Sequence, residues 1–260
     1  MIDSLYIGAT GMQAQQMNID VIANNLANVN TSGFKRNRID FADLVYRSMG
    51  VSSPTAASEA TNPVRAGMGT AVMASGKVFT LGDVKKTDQP FDLAVRGQGF
   101  FEIAMPDGTT AYTRSGAFQL NGEGVLVTQN GFPLSGSIQV PPDATAVTVG
   151  ADGRVTATVP TEKQPIEIGR IDLVNFINAA GLKPVGDNLY AATVASGDPI
   201  RGVPGENGGG TIAQGFLEAS NVKLIDEMIN LILAQRAYEI NAKVVQASDE
   251  MLSISNGLFR

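Results

Sequence analysis

The sequence predicts an α+β protein. An N-terminal and a C-terminal helix pair as a coiled coil, and an antiparallel β module of barrel-like or sandwich-like type is inserted between them. Three observations predict this. Gly and Pro are absent between Asn221 and Asn256, where apolar residues recur at helical spacing. The opening residues carry a similar four-three rhythm of apolar positions. In between, Asn-Gly and Asp-Gly dipeptides punctuate short β-branched runs, with no helical crossovers among them.

Asp3-Ser4 reads as a helix cap, after which Leu5, Ala9, Met12, Gln16, Ile19, Ala23 and Leu26 step by four and three. Its two alanines and Gln16 make this the weaker seam. The helix is expected to stop in the turn cluster Asn28-Val29-Asn30-Thr31-Ser32-Gly33. The stretch from Phe34 to Met49 is short and mixed, with Phe41, Leu44 and Val45 as docking side chains. From Ser48 to Gly76 the composition is that of a linker, rich in Ser, Ala, Thr, Gly and Pro, with Glu59 and Arg65 the only charges.

Strand periodicity starts near Lys77. Pro106-Asp107-Gly108, Asn121-Gly122, Asn130-Gly131 and Asp152-Gly153 are turn signals between strands, and Ile166–Ile177 adds one or two more. A second Gly-rich connector, Gly202 to Gly210, leads to the last helix. There Leu233, Ala237, Ile240, Val244, Ala247, Met251, Ile254 and Leu258 form a heptad seam, preceded by Val222, Ile225, Ile229 and Ile232 in a similar register. A second stripe, Leu224, Met228, Leu231, Tyr238, Val245 and Leu252, lies on another side. Ser220 or Asn221 is the expected cap, and Asp226 and Glu227 suit the positive helix end. A helix with two apolar stripes needs two partners, one of them another copy of the chain. The expected division is a terminal-helix domain (1–47 and 216–260), connecting segments (48–90 and 197–215) and a β-rich outer domain (91–196).

Composition removes whole classes of function. The 260 residues include no Cys, no His and no Trp, so thiol and imidazole catalysis and most zinc chemistry are excluded. A net charge of −6 without a dense basic run argues against nucleic acid. No apolar run approaches the ~20 residues of a membrane span, and the acidic start Met1-Ile2-Asp3-Ser4 does not resemble a cleaved signal peptide. Gly97-x-Gly99 has Glu102 where a dinucleotide fingerprint wants Gly, and Gly208 to Gly210 lacks the Lys-Ser/Thr ending of a phosphate loop. Arg96 and Arg114 read as solvated groups or structural ion pairs. No catalytic residue, metal or cofactor is expected.

Asn24-Asn25-Leu26-Ala27-Asn28-Val29-Asn30-Thr31-Ser32-Gly33-Phe34-Lys35 is similar to the N-terminal signature of the bacterial flagellar rod and hook protein family. Asp92 to Phe101, with Gly97, Gly99 and Phe100, and Tyr112-Thr113-Arg114 to Phe118 are similar to its central signatures. Ser220-Asn221-Val222 and Gln235-Arg236-Ala237-Tyr238-Glu239 resemble its C-terminal one. Length and the stretches Arg36–Tyr46 and Asn178–Tyr190 fit a rod member better than the longer hook protein.

The resemblance implies a structural subunit and no enzyme: a homo-oligomeric helical tube, with proximal rod proteins, hook protein, the peptidoglycan-ring and outer-membrane-ring proteins and the type III export apparatus as partners. Location in the basal body, from periplasm to outer membrane, follows, with export lacking a cleaved signal and no membrane insertion. It further implies that residues 48–76 pack on neighbouring subunits, with Val51, Val64, Met68, Val72 and Met73 as anchors. The assembly residues expected from the seams are Leu5, Met12, Ile19 and Leu26 of the first helix and Ile225, Ile229, Ile232, Leu233, Ile240, Val244, Met251 and Ile254 of the last. Two competing readings fail on the sequence. A carbohydrate-binding module with a coiled-coil oligomeriser would need exposed aromatics, and a wall-degrading enzyme would need two convergent acids.

Overall fold

The computed structural model describes residues 2–49, 64–136, 138–160, 164–206 and 208–257. The expectations for residues 50–63, Val51 among them, and for Leu258 lie outside the described residues.

The chain divides into two compact units: residues 1–26, 37–76 and 224–260, and residues 27–36 with 77–223. The first holds helices α1 (Ile2–Ala27) and α2 (Leu224–Gly257) and strands β1 (Asn37–Asp43), β2 (Tyr46–Met49), β3 (Val64–Gly67) and β4 (Thr70–Lys77). The stretch read by composition as a linker is therefore partly strand: β2 pairs antiparallel with β3, and β1 pairs with β4. Short Gly-, Ala- and Ser-containing strands have no apolar alternation to reveal them. α1 ends at the Asn-Thr-Ser-Gly cluster as expected, and α2 begins with Asp226 and Glu227 in its first turn.

The second unit is all β. Its strands are β5 (Val84–Lys86), β6 (Leu93–Arg96), β7 (Phe100–Ala104), β8 (Thr110–Thr113), β9 (Phe118–Leu120), β10 (Leu126–Thr128), β11 (Ala146–Val149) and β12 (Arg154–Thr158). They continue with β13 (Ile166–Arg170), β14 (Leu173–Asn175), β15 (Lys183–Gly186), β16 (Leu189–Ala191), β17 (Ile200–Gly202), β18 (Thr211–Gln214) and β19 (Phe216–Glu218). The predicted turns are in place. Asp107 accepts from the Thr109 amide at 2.9 Å at the β7–β8 corner, and Asn121 accepts from the amides of Glu123 and Val125 at 3.0 and 2.9 Å.

The largest sheet has six strands in the order β15-β16-β8-β7-β14-β17. It stays open, so of the expected barrel-like or sandwich-like module the antiparallel β character is present and barrel closure is not. Its end strands β15 and β17 are short and exposed, and Pro184 has no N–H to continue the ladder beyond β15. Alternation along β7 supplies both faces. Phe101 and Ile103 point into the larger core with Leu93, Leu126, Val155 and Leu173, while Phe100 joins Tyr112, Tyr190 and Val174 on the other side.

Candidate functional site

In the β unit the signature stretches converge on one buried ionic knot. The Glu218 carboxylate, at the end of β19, is its centre. Its Oε1 accepts from Lys35 Nζ at 2.6 Å and from the Gly82 amide at 2.9 Å. Its Oε2 lies 3.0 Å from Arg114 Nε, an ionic contact off the hydrogen-bond direction. Lys35 also donates to the Thr80 carbonyl at 2.7 Å. Arg114 donates to the carbonyls of Gly99 and, at 2.9 Å, Gly97. The glycine pair that superficially suggested a nucleotide loop is thus an acceptor shelf for a guanidinium. Side-chain exposure at Lys35 and Glu218 is 1%, and at Arg114 it is 4%. Burial holds both cations below their ordinary pKa, and Glu218 opposes that shift at each.

The chain after α1 and the chain before α2 are stitched together here. The Gly33 amide donates to the Glu218 carbonyl at 2.8 Å, and the Arg36 amide donates to Asn221 Oδ1 at 2.7 Å. Gly33 has φ 71° and packs so closely that a Cβ would sit 2.5 Å from the Ser115 amide nitrogen. Ser220 or Asn221 was expected to cap α2, which begins at Leu224. Instead the Asn221 side-chain amide donates to the carbonyls of Val78 and Thr80, while Ser220 Oγ accepts from the Val222 amide. Phe34 is buried beneath Lys77, whose Nζ stands 4.6 Å from the ring centroid. Phe100, Tyr112 and Tyr190 complete the aromatic wall, with Phe79 edge-on to Phe100 at 5.4 Å. The Asn28 side chain accepts from Thr31 at 3.2 Å. Glu102, the residue that broke the fingerprint, pairs with Arg201 at 2.5 Å, and Arg96 lies over Phe216.

The terminal helices arrange their residues differently from the expected seam. α1 and α2 approach antiparallel at three levels. Gly8 abuts Val245, Gly11 abuts Asn241, and Asn25 Nδ2 lies 3.4 Å from Glu227 Oε2. Asn25 also exchanges hydrogen bonds with the Asn37 backbone at 2.8 and 2.9 Å, and Asn24 accepts from Asn37 Nδ2. The buried positions on α2 are Glu227, Ala234 and Ser248, and on α1 Gly8, Ala14, Ile22 and Asn25, among the described residues. Asn241 is therefore turned towards α1.

The intramolecular seam is offset by one residue from the sequence seam on both helices, a rotation of about 100°. Gly8 and Gly11 serve instead of Ala9 and Met12, while Ala234, Asn241, Val245 and Ser248 serve instead of Leu233, Ile240, Val244 and Ala247. Small residues meet where the helices come close, and the large aliphatics are left outside. Ile225, Ile229, Ile232, Leu233, Ile240, Val244, Met251 and Ile254 remain 43–71% exposed. Leu5, Met12, Ile19 and Leu26 are half-buried. Of the last signature, Gln235 and Tyr238 are exposed, and Arg236 pairs with Glu239 at 3.0 Å on the surface. Lys35 had appeared only as the end of a motif, and Glu218 had not been singled out at all. Among the described residues no group of three or more Asp or Glu is gathered as a metal would require, and no helix is long and apolar enough to cross a membrane.

Comparison with known proteins gives matches along the chain. The family described as "Flagella basal body rod protein" matches residues 5–35, the "Flagellar hook protein FlgE/F/G D1 domain" residues 94–157, and the "Flagellar basal body rod FlgEFG protein C-terminal" residues 213–258. The "Flagellar basal-body rod protein FlgG" of Buchnera aphidicola (Schizaphis graminum) is 46% identical over 254 residues, 97% of this chain and 98% of its own length. That of Borreliella burgdorferi is 43% identical with both chains fully covered. The "Flagellar basal-body rod protein FlgF" of Caulobacter vibrioides is 37% identical over 96% of this chain and 95% of its own.

Proposed function

The chain belongs to the flagellar basal-body rod protein family, and on that premise we propose that it is a structural subunit of the distal rod, self-assembling into a rigid helical tube that carries motor torque to the hook. One observation carries the self-assembly: the large aliphatic side chains of α2 face away from its intramolecular partner. Exposed apolar surface of this extent marks an interaction site. The 34-residue helix is about 50 Å long, so the surface it offers is a continuous stripe.

The higher identity to relatives named FlgG, 40–46%, than to the one named FlgF, 37%, supports the distal over the proximal position. In this reading the exposed set from Ile225 to Ile254, with Leu5, Met12, Ile19 and Leu26, forms the subunit contacts. Residues 48–90 and 197–215 connect and pack on neighbours, and 91–196 form the outer domain. The tube runs from the periplasm through the peptidoglycan and outer-membrane rings, between proximal rod proteins and hook protein. Subunits arrive through the type III export apparatus. The role is mechanical, and no residue is assigned a chemical step.

Electron microscopy of the full chain at rising concentration tests this. Straight tubes are expected. A protein that stays monomeric, or closes into small symmetric oligomers at every concentration, would overturn the reading.

A further inference from the structure

The unit that holds both helices also contains a groove. It has a volume of about 330 Å³ and lies between α1 and the β1–β4 side of the same unit. Thr10, Ala14 and Met17 form one wall, and Leu44, Ala71 and Val72 the other; no charged residue lines it. Its rim is uncovered: Tyr6, which lines it with Gln13 and Thr70, is 50% exposed, and Phe41 and Met73 of the flanking strands are exposed as well. The same unit thus presents an uncharged groove and, on α2, an uncharged ridge.

We propose that the groove of one copy receives the ridge Ile225–Ile229–Ile232 of α2 from a second copy. This rests on the self-assembly reading and names the contact within it. Size and spacing agree. A cavity of about 150 Å³ holds one benzene-sized group, so the groove takes about two aliphatic side chains. Residues three or four apart on a helix present such a pair on one face, about 5–6 Å apart. Chemistry agrees too, since burying an uncharged ridge in an uncharged groove leaves no ion without a partner.

Symmetry then selects this occupant over the obvious alternative. Ridge against ridge between two α2 helices would be isologous. It would close as a dimer and leave the groove, with Tyr6 and Met73, in water. Ridge into groove is heterologous, covers both surfaces and repeats without closing, as a tube requires. The ridge is one end of the outward set of eight α2 side chains, 43–71% exposed, which together supply apolar area on the scale of the ~800 Å² per partner that a stable interface buries.

The chain contains no Cys, so engineered thiols are the only ones. Full-length Gln13→Cys and Ile229→Cys, each exposed in the subunit, are mixed under polymerising conditions with chains of two tagged sizes and treated with a short bis-maleimide. The proposal expects heterodimers at least tenfold more abundant than either homodimer. Polymers that yield only Ile229→Cys homodimers, or no cross-link, overturn the groove contact and leave self-assembly standing. A wild-type chain that never polymerises overturns both. A groove-filling variant, Ala71→Trp, adds a second reading. Its polymerisation threshold is expected to rise at least tenfold with an unchanged thermal midpoint, and a threshold equal to wild type counts against the proposal.

Discussion

Replacing Glu218 by Gln should remove a large share of the stability of the β unit. Among the described residues Glu218 is the carboxylate facing Lys35 and Arg114, at 2.6 and 3.0 Å, and all three side chains are at least 96% buried. The native knot carries a formal charge of +1. Glutamine keeps the shape and the acceptor for the Gly82 amide but leaves two cations unneutralised. Breaking a buried pair by removing one partner costs about 3–5 kcal/mol. Against a total of about 5–15 kcal/mol for a domain, that is a third or more in most cases.

The assay is guanidinium unfolding followed by tyrosine emission and circular dichroism, since the chain has no Trp. A sign follows for pH. Burial already holds Lys35 below its ordinary 10.5, and Glu218 is the cause that raises it. Without Glu218 the folded-state value falls further, so the unfolded chain binds more protons over a wider window below 10.5. The variant should therefore regain stability as pH rises towards 10.5. Lys35→Met combined with Glu218→Gln should be less destabilising than the sum of the two single changes by about 1–3 kcal/mol. A Glu218→Gln protein within about 1 kcal/mol of wild type at pH 7 would refute the assignment of the knot as the clasp of this unit.

Other perturbations have equally definite outcomes. Gly33→Ala forces a left-handed residue and a contact 2.5 Å from Ser115, so chemical denaturation should show a loss of at least about 2 kcal/mol; an unchanged midpoint would contradict the backbone geometry. Gly11→Leu places a side chain where a Cβ already meets Asn241 at 2.8 Å, so it should cost about 1–3 kcal/mol in the helix unit, read as lost helical ellipticity. Tyr190 is held above its ordinary 10.0, first by burial and then by Glu218. Its contribution is full below pH 10 and is lost as pH climbs through its folded value, so one tyrosine should ionise only on unfolding, and Tyr190→Phe should abolish that late step in the ultraviolet titration. The buried Tyr190 hydroxyl has no partner among the described residues, so the same variant should be neutral or up to about 1 kcal/mol more stable.

The sequence made the terminal helices and the hairpin corners legible, because each rests on local signals. Asn121, Asp107 and Gly153 announce turns wherever they stand, and a 34-residue stretch without Gly or Pro before its last position announces a helix. The strands at 37–49, 64–77 and 211–218 were not legible. They mix polar and small residues with few apolar ones, and pairing to distant partners makes them strands, as Val95 and Lys85 do for β18 and β19. Periodicity marked the apolar faces without saying which of them meets the other helix. The seam through Leu233, Ile240 and Met251 lies outside the contact with α1, because Gly8 and Gly11 let the backbones meet one residue away. The clasp was half legible. Gly97, Gly99, Arg114 and Asn221 stood in signature stretches, whereas Lys35 and Glu218, 183 residues apart, acquire meaning only when the fold brings them to 2.6 Å.

The central claim is that the outward stripe of α2 supplies the free energy of self-assembly. Its most direct test is the critical concentration for polymerisation of Ile240→Asp/Val244→Asp beside wild type, by sedimentation. Ile240 is 60% exposed and Val244 43% in the subunit. Covering what remains of both contributes about 2–3 kcal/mol, and desolvating a carboxylate adds a penalty of similar size or more. The variant should therefore polymerise only at a concentration about 1,000-fold higher, with a β-unit melting transition within about 2 °C of wild type. Polymerisation at the wild-type concentration would contradict the claim.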